Sequence, residues 1–352
     1  MRQCAPNTFL WLAFVLLLVA MLSGVLLGPV SIPLSSLLKG LASCLGFSAE
    51  LASENVQRQW LIVSAIRLPR ALLAALVGAC LALCGGAMQG LFRNPLADPS
   101  LIGVSAGASL GASLVIVFAS VGFQSGPMSE VLGLSLLAGG AFIGGSVAVM
   151  VVYRLARGTG TTSVATMLLA GIAISALAGA GNSLLSFHAD NEMLRRISLW
   201  QMGRLDGANW PRVIMAGAAL TVLLAGLLSQ GRSLNALLLG ESEARFLGID
   251  VEHLKRRVVV LTALGVGVCV AVAGAIAFVG LVVPHMVRLL IGPDHRFLLP
   301  ACALLGSTLL VFADALSRLV VAPAELPVGI VTALLGVPFF FSLLARQRSG
   351  VA

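Results

Sequence analysis

Nine stretches of this 352-residue chain contain no Asp, Glu, Lys or Arg, and they dominate what it can fold into. They run over 3–38, 71–92, 99–129, 131–153, 158–189, 213–231, 258–287, 297–313 and 326–345. A hydrocarbon core about 30 Å thick takes roughly 20 helical residues to cross, so each run is a candidate transmembrane helix. The seventh run continues into Gly280-Leu-Val-Val-Pro284-His-Met-Val-Arg288, where the glycine and proline predict the end of one span and the start of a shorter one. The expectation is an all-α polytopic membrane protein of about ten spans, the eighth short, forming one transmembrane domain over 1–352.

Composition agrees. Hydrophobic residues make up 59% and charged residues 10%, against about 25% charged in soluble domains. A soluble enzyme, a disordered tail and a nucleic-acid binder are excluded together. The net charge of +8 is a membrane-flank signature. With the N-terminus cytoplasmic and ten spans, the loops at 91–98, 154–161, 230–257 and 292–297 and the C-terminus share the cytoplasmic side. With Arg2 and Arg288 these regions hold 13 of the 22 basic residues, the sign that the positive-inside rule requires. The first span, about Phe9 to Pro29, is longer than the apolar core of a typical secretory leader, so it is read as retained.

That topology leaves Arg195, Arg196 and Arg204 in one extracytoplasmic loop, and Arg67, Arg70 and Arg318 near extracytoplasmic span ends. Two readings stand: interfacial snorkelling, or attraction of an acidic partner or anionic solute. Thirty-nine glycines, many spaced like Gly103/Gly107/Gly111 and Gly171/Ser175/Gly179, predict close helix packing. Cysteines at 4, 44, 80, 84, 269 and 302 form no C-x-x-C, and Cys80 and Cys84 read as small apolar filling. No metal site and no catalytic cluster of the H-E-x-x-H or G-x-S-x-G kind is present in the sequence.

The chain has no G-x-x-x-x-G-K-[ST] loop, and its only lysines are Lys39 and Lys255. Asp314 is the one carboxylate deep in an apolar stretch, with Asp98 and Glu325 at span edges. A stand-alone secondary carrier ordinarily needs paired intramembrane acids, so the energy source is expected in another protein. The stretch from Ser233 to Asp250 reads as two short cytoplasmic helices, an insert at 232–252. Gly240 divides them, Glu241 and Glu243 favour the start of the second, Arg245 lies toward its end, and Gly248 suits a left-handed terminus. Phe246 and Leu247 are expected to face something apolar. Such a knuckle fits a membrane subunit that receives force from a soluble partner. Phe92 to Pro99 reads as a turn with Asp98 as helix cap, and His188 and His285 as interfacial histidines.

Several stretches together resemble the FecCD-type permeases, membrane subunits of bacterial ABC importers for haem, cobalamin and ferric siderophores. They are Arg67-Leu-Pro-Arg70, Val77-Gly-Ala, Met88-Gln-Gly, Arg93-Asn-Pro-Leu-Ala-Asp-Pro99, Gly103-Val-Ser-Ala-Gly107 and Gly240-Glu-x-x-Ala-x-x-Leu-Gly248. Gly274 to His285, Asp294 to Pro300 and Glu325 to Pro338 continue the match in order. The resemblance implies type II ABC importer architecture in a bacterial inner membrane, with both termini cytoplasmic. It implies a homodimer, two cytoplasmic ABC ATPase subunits and a periplasmic binding protein, with no permanent cofactor and ATP used only through the partner. It assigns ATPase coupling to Gly240, Glu241, Ala244, Leu247, Gly248 and Arg93, and binding-protein docking to Arg67, Arg70 and Arg318. Met167 to Gly181, Asp190-x-x-x-Leu-Arg195 and the stretch from Trp200 look most like haem permeases, which makes haem the expected solute. Cobalamin or a ferric siderophore is the alternative. Arg195, then Arg196, with Asn182 and His188, are the expected pathway residues; Phe187-His188 departs from the haem permeases' usual pair.

Overall fold

The computed structural model describes residues 5–28, 32–44, 54–119, 127–157, 162–322 and 324–348. The calls on Arg2, Cys4, residues 158–161 of the 154–161 loop and the last four residues lie outside them. The helices are α1 (Pro6–Leu26), α2 (Leu34–Cys44), α3 (Glu54–Ile62), α4 (Leu68–Phe92), α5 (Val104–Ala119), α6 (Pro127–Ala156), α7 (Val164–His188) and α8 (Asn191–Gln201). There follow α9 (Trp210–Leu228), α10 (Gly231–Leu239), α11 (Glu241–Phe246), α12 (Val251–Ala273), α13 (Val279–Ile291), α14 (His295–Leu319) and α15 (Val328–Arg348). Among the described residues seven helical stretches are long and apolar enough to cross a membrane: α1, the α3–α4 rod, α6, α7, α9, α12 and α14. The shorter apolar helices α5, α13 and α15 bring the set to the ten expected from the charge-free runs.

Polar residues between the runs start the helices. Side chains of Ser163, Asp190, Asn209, Asp250 and Asp294 accept backbone N–H bonds at the starts of α7, α8, α9, α12 and α14. Each satisfies a donor that the first turn cannot. Asp98 does the same for a single 3-10 turn, Pro99–Ile102, which precedes α5.

α4 is the central post, buried along almost its whole length, and packs against α14, α13, α12 and α9. Glycine makes that closeness possible. A Cβ on Gly78 would lie 2.2 Å from the Gly306 carbonyl oxygen, and one on Gly85 1.8 Å from that of Gly280. Between lipid-embedded helices there is no hydrophobic driving force, so such van der Waals contact supplies the cohesion. Gly107 and Gly111 meet Gly140 and Gly144 in the same way between α5 and α6, as the small-residue spacing predicts. Gly179 instead faces open space.

The structure moves one predicted boundary. The α12–α13 break falls at 274–278, where Gly274 (φ 71°) and Phe278 (φ 69°) turn left-handed, and Pro284 lies inside α13. Proline removes the hydrogen bond to the carbonyl four residues earlier, that of Gly280. This is the carbonyl that Gly85 approaches, so the loss falls against a neighbouring backbone and the helix continues. α2 and α3 carry Lys39, Glu54 and Arg58, which interrupt the apolar runs, and were not read from them.

The arginines expected to dock a partner are drawn into the chain's own packing. Arg67 lies in a π-helical turn (Val63–Arg67) joining α3 to α4, Arg70 in the first turn of α4, and Arg318 near the end of α14; all three are buried. Arg70 donates to Asp314 at 2.9 Å and to Glu325 at 2.7 Å. Arg318 sits 3.1 Å from the second Asp314 oxygen. Arg67 donates to the carbonyls of Val25 and Leu26 at 2.9 and 2.8 Å, and Arg318 to those of Gly24 and Leu27 at 2.9 and 3.0 Å. These four consecutive carbonyls end α1, where no intrahelical partner exists. Within the chain the three arginines serve its interior, and Asp314, not a lone acid, is the counter-ion of Arg70 and Arg318. Removing one partner of a buried ion pair costs about 3–5 kcal/mol. Asp314→Ala, leaving Arg70 and Arg318 uncompensated, is expected to lower thermal stability in detergent by that order, measured by melting of the purified protein, whereas Glu325→Ala at the exposed edge costs less.

Candidate functional site

Two ends of the bundle carry polar groups that packing alone does not demand. At one end α10 and α11 form the predicted knuckle, with Gly240 (φ 138°) between them and Gly248 (φ 80°) just after. Glu241 and Glu243 occupy the first turn of α11 and Arg245 its last. Ala244 is buried, but Phe246 is 91% and Leu247 62% exposed. Among the described residues these two stay largely uncovered; they form a protruding knob. Arg93, left-handed at the end of α4 (φ 50°), lies near enough for its charge to act on Glu243.

Polar clamps fix the knuckle to the bundle. Asn235 on α10 donates to Asp294 at 2.6 Å, while its amide oxygen accepts the backbone N–H of His295 at 2.9 Å. Lys255, buried in the first turns of α12, reaches Glu241 at 2.8 Å, Glu252 at 3.3 Å and the Thr162 carbonyl at 2.8 Å. The loops at 91–98, 230–257 and 292–297 and Thr162 thus gather at one end, as the alternation of spans requires.

At the opposite end α8 is a helix, where the sequence suggested only a loop. Asp190 caps it, and Ile197 is its one buried residue. Arg195 and Arg196 are both exposed. Arg196 pairs with Glu192 one turn earlier, whereas Arg195 has no partner among the described residues. His188 ends α7, exposed, with Nδ1 3.1 Å from the Leu184 carbonyl and its ring edge-on to Phe187. Asn182 turns toward α5, its amide donating to Ser109 at 3.2 Å. α7 is the least covered long helix: besides Leu169, Ile172, Leu177 and Leu184, small residues Ala173, Ala176, Gly179 and Ala180 are exposed.

Behind α8 three backbones meet. A Cβ on Gly203 would lie 2.5 Å from the Ala275 carbonyl oxygen, one on Gly274 2.3 Å from that of Trp200, and one on Gly329 2.1 Å from that of Met202. The Arg204 N–H donates to the Ala273 carbonyl at 2.7 Å. The end of α8 is thereby joined to the α12–α13 break and to the start of α15, contacts no single sequence motif announces. Cys80, Cys84, Cys269 and Cys302 are free and buried, and no group of metal ligands occurs among the described residues.

The FecCD transport family model matches residues 9–346. The chain is 49% identical over 290 residues to the hemin transport system permease protein of Yersinia pestis, covering 82% of this chain and 84% of that one. It is 44% identical over 307 residues to the cobalamin import system permease protein of Halobacterium salinarum, covering 87% and 79%. The vitamin B12 import system permease protein of Escherichia coli is 43% identical over 289 residues, covering 82% and 85%. Among solved structures, a putative metal-chelate type ABC transporter in an inward-facing conformation matches with TM-score 0.82 at 32% identity, covering 97% of this chain and 99% of that one.

The Asp294 clamp gives a pH test. Burial works to raise this carboxyl's pKa, but the Asn235 amide, the Arg296 backbone N–H and the neighbouring cationic side chains hold it lower than usual. A depressed pKa contributes stability above the unfolded value of about 3.9, lost as pH falls through the folded one. Asp294→Asn is expected to flatten the acid limb of melting temperature against pH below about 4; an unchanged limb would show that the clamp adds nothing.

Proposed function

This chain belongs to the FecCD transport family, and on that premise we propose that it is the permease subunit of an ABC importer that brings haem across a bacterial inner membrane. The observation that carries haem over the alternatives is the 49% identity to the hemin permease, against 44% and 43% to the cobalamin and vitamin B12 permeases. These margins leave cobalamin as the second reading.

The geometry fits the proposal. In this reading the knuckle end faces the cytoplasm, and the knob of Phe246 and Leu247 enters a cleft of a separate ATPase, which supplies the nucleotide chemistry this sequence lacks. The uncovered small residues of α7 face a second copy, with the pathway between the two. Ala, Gly and Ser on such a face let helices or a flat macrocycle pass closely. Arg195, an unpaired guanidinium at the opposite mouth, offers a bidentate site to a propionate. Arg196, already holding Glu192, contributes less, and Asn182, bonded to Ser109, supports the wall of α7.

The test is uptake by proteoliposomes containing the permease with its ATPase and binding protein, challenged in competition with haem, cobalamin and a ferric siderophore. Haem accumulation that depends on ATP is expected, with Arg195→Ala slowing it, Arg196→Ala doing so less, and His188→Ala tolerated. Accumulation of cobalamin or the siderophore without haem would overturn the assignment.

A further inference from the structure

The contacts around Lys255 go beyond what the knuckle needs to stay folded. Its ammonium has three donors, and each meets an acceptor on a different segment: Glu241 on α11, Glu252 on α12 and the carbonyl of Thr162 between α6 and α7. Glu252 completes the arrangement from below. Its second carboxylate oxygen accepts the Thr162 N–H at 3.1 Å and the Thr162 hydroxyl at 2.7 Å. All three polar groups of Thr162 are therefore held by the Lys255–Glu252 pair.

Thr162 is not an arbitrary anchor. It bridges back to Arg157 at the end of α6, and the next residue, Ser163, caps α7. α7 is the helix with the uncovered face, and it leads through Ala189 into α8 with Arg195. α11 itself packs on α10 and α12 rather than on α7. The polar link from the knob to the first turn of α7 thus runs Glu241, Lys255, Thr162. A compact ammonium on a flexible stem suits three acceptors in three directions, where a planar guanidinium would favour one carboxylate. Arg245, 3.8 Å from Glu241 and 4.0 Å from Glu252, is half exposed and lies outside this path.

Resting on the reading of α11 as the ATPase contact, we infer that Lys255 is the positioning residue that delivers movement of α11 to α7, so that the permease opens when its partner binds or hydrolyses ATP. A tether that only stabilised the fold would alter how much protein survives, not how much solute moves per ATP.

The experiment uses the full complex in proteoliposomes, measuring ATP hydrolysed and solute accumulated, with the solute being whichever one the wild-type complex takes up in the competition assay. For Lys255→Met the ATPase is expected to co-purify, and uptake per ATP to fall about tenfold, within the range seen for residues that carry coupling. Glu241→Gln, which keeps the side chain's shape and removes its charge at a partly exposed position, is expected to lower the same ratio. The double variant should be no worse than Lys255→Met alone, the non-additivity of two groups in one path. An unchanged ratio in either single variant, or fully additive losses in the double, would overturn the inference. Failure of the premise looks different: the ATPase would not co-purify with the wild-type chain, or its hydrolysis would be unrelated to uptake.

Discussion

The end of α1 sets the terms for the rest of this structure. A helix leaves its last carbonyls without partners, and inside a bilayer no water replaces them. Here Arg67 and Arg318 supply the donors, and Asp314 and Glu325 offset part of the positive charge that these two share with Arg70. One cluster thereby fixes α1, the π-helical turn, α4, α14 and the segment entering α15. The long post of α4 can then be lined with glycine, because its upper end is held by charge and its length only has to fit.

The same logic separates the two ends by function. The cluster end is closed by buried ions and by the backbone junction of Gly203, Gly274 and Gly329 behind α8. The knuckle end is held by clamps that sit closer to solvent, Asn235 with Asp294 and Lys255 with Glu241 and Glu252. The partly exposed carboxylates here are screened by water, whereas the enclosed Asp314 is not.

Much of this was legible in the sequence. Charge-free runs located the ten apolar helices because their length and composition are set by the bilayer, independent of any neighbour. The knuckle was legible for a local reason: Gly240, Glu241, Glu243 and Gly248 each act within one turn. The arginines' partners within the chain were not legible because those contacts are non-local. Arg70 finds Asp314 across 244 positions, and from the sequence alone a charge beside an apolar run looks like a flank. The break before α13 was misplaced because proline is a visible signal, whereas the left-handed turn of Phe278, whose ring lies against Gly336, is not. α8 was overlooked as a helix because it is short and polar on average and lies between two spans, although Met193, Ile197 and Trp200 recur at helical spacing.

The knob of Phe246 and Leu247 also bears on the life of the chain before assembly. Two large apolar side chains held out at the end of a short helix, largely uncovered among the described residues, present to water the kind of surface that chaperones and proteases recognise. If the knob meets a soluble ATPase as proposed, a copy lacking that partner would be marked by the same feature. Synthesis of the partner in step would then set how many copies persist, making subunit stoichiometry a matter of survival after translation as well as of expression.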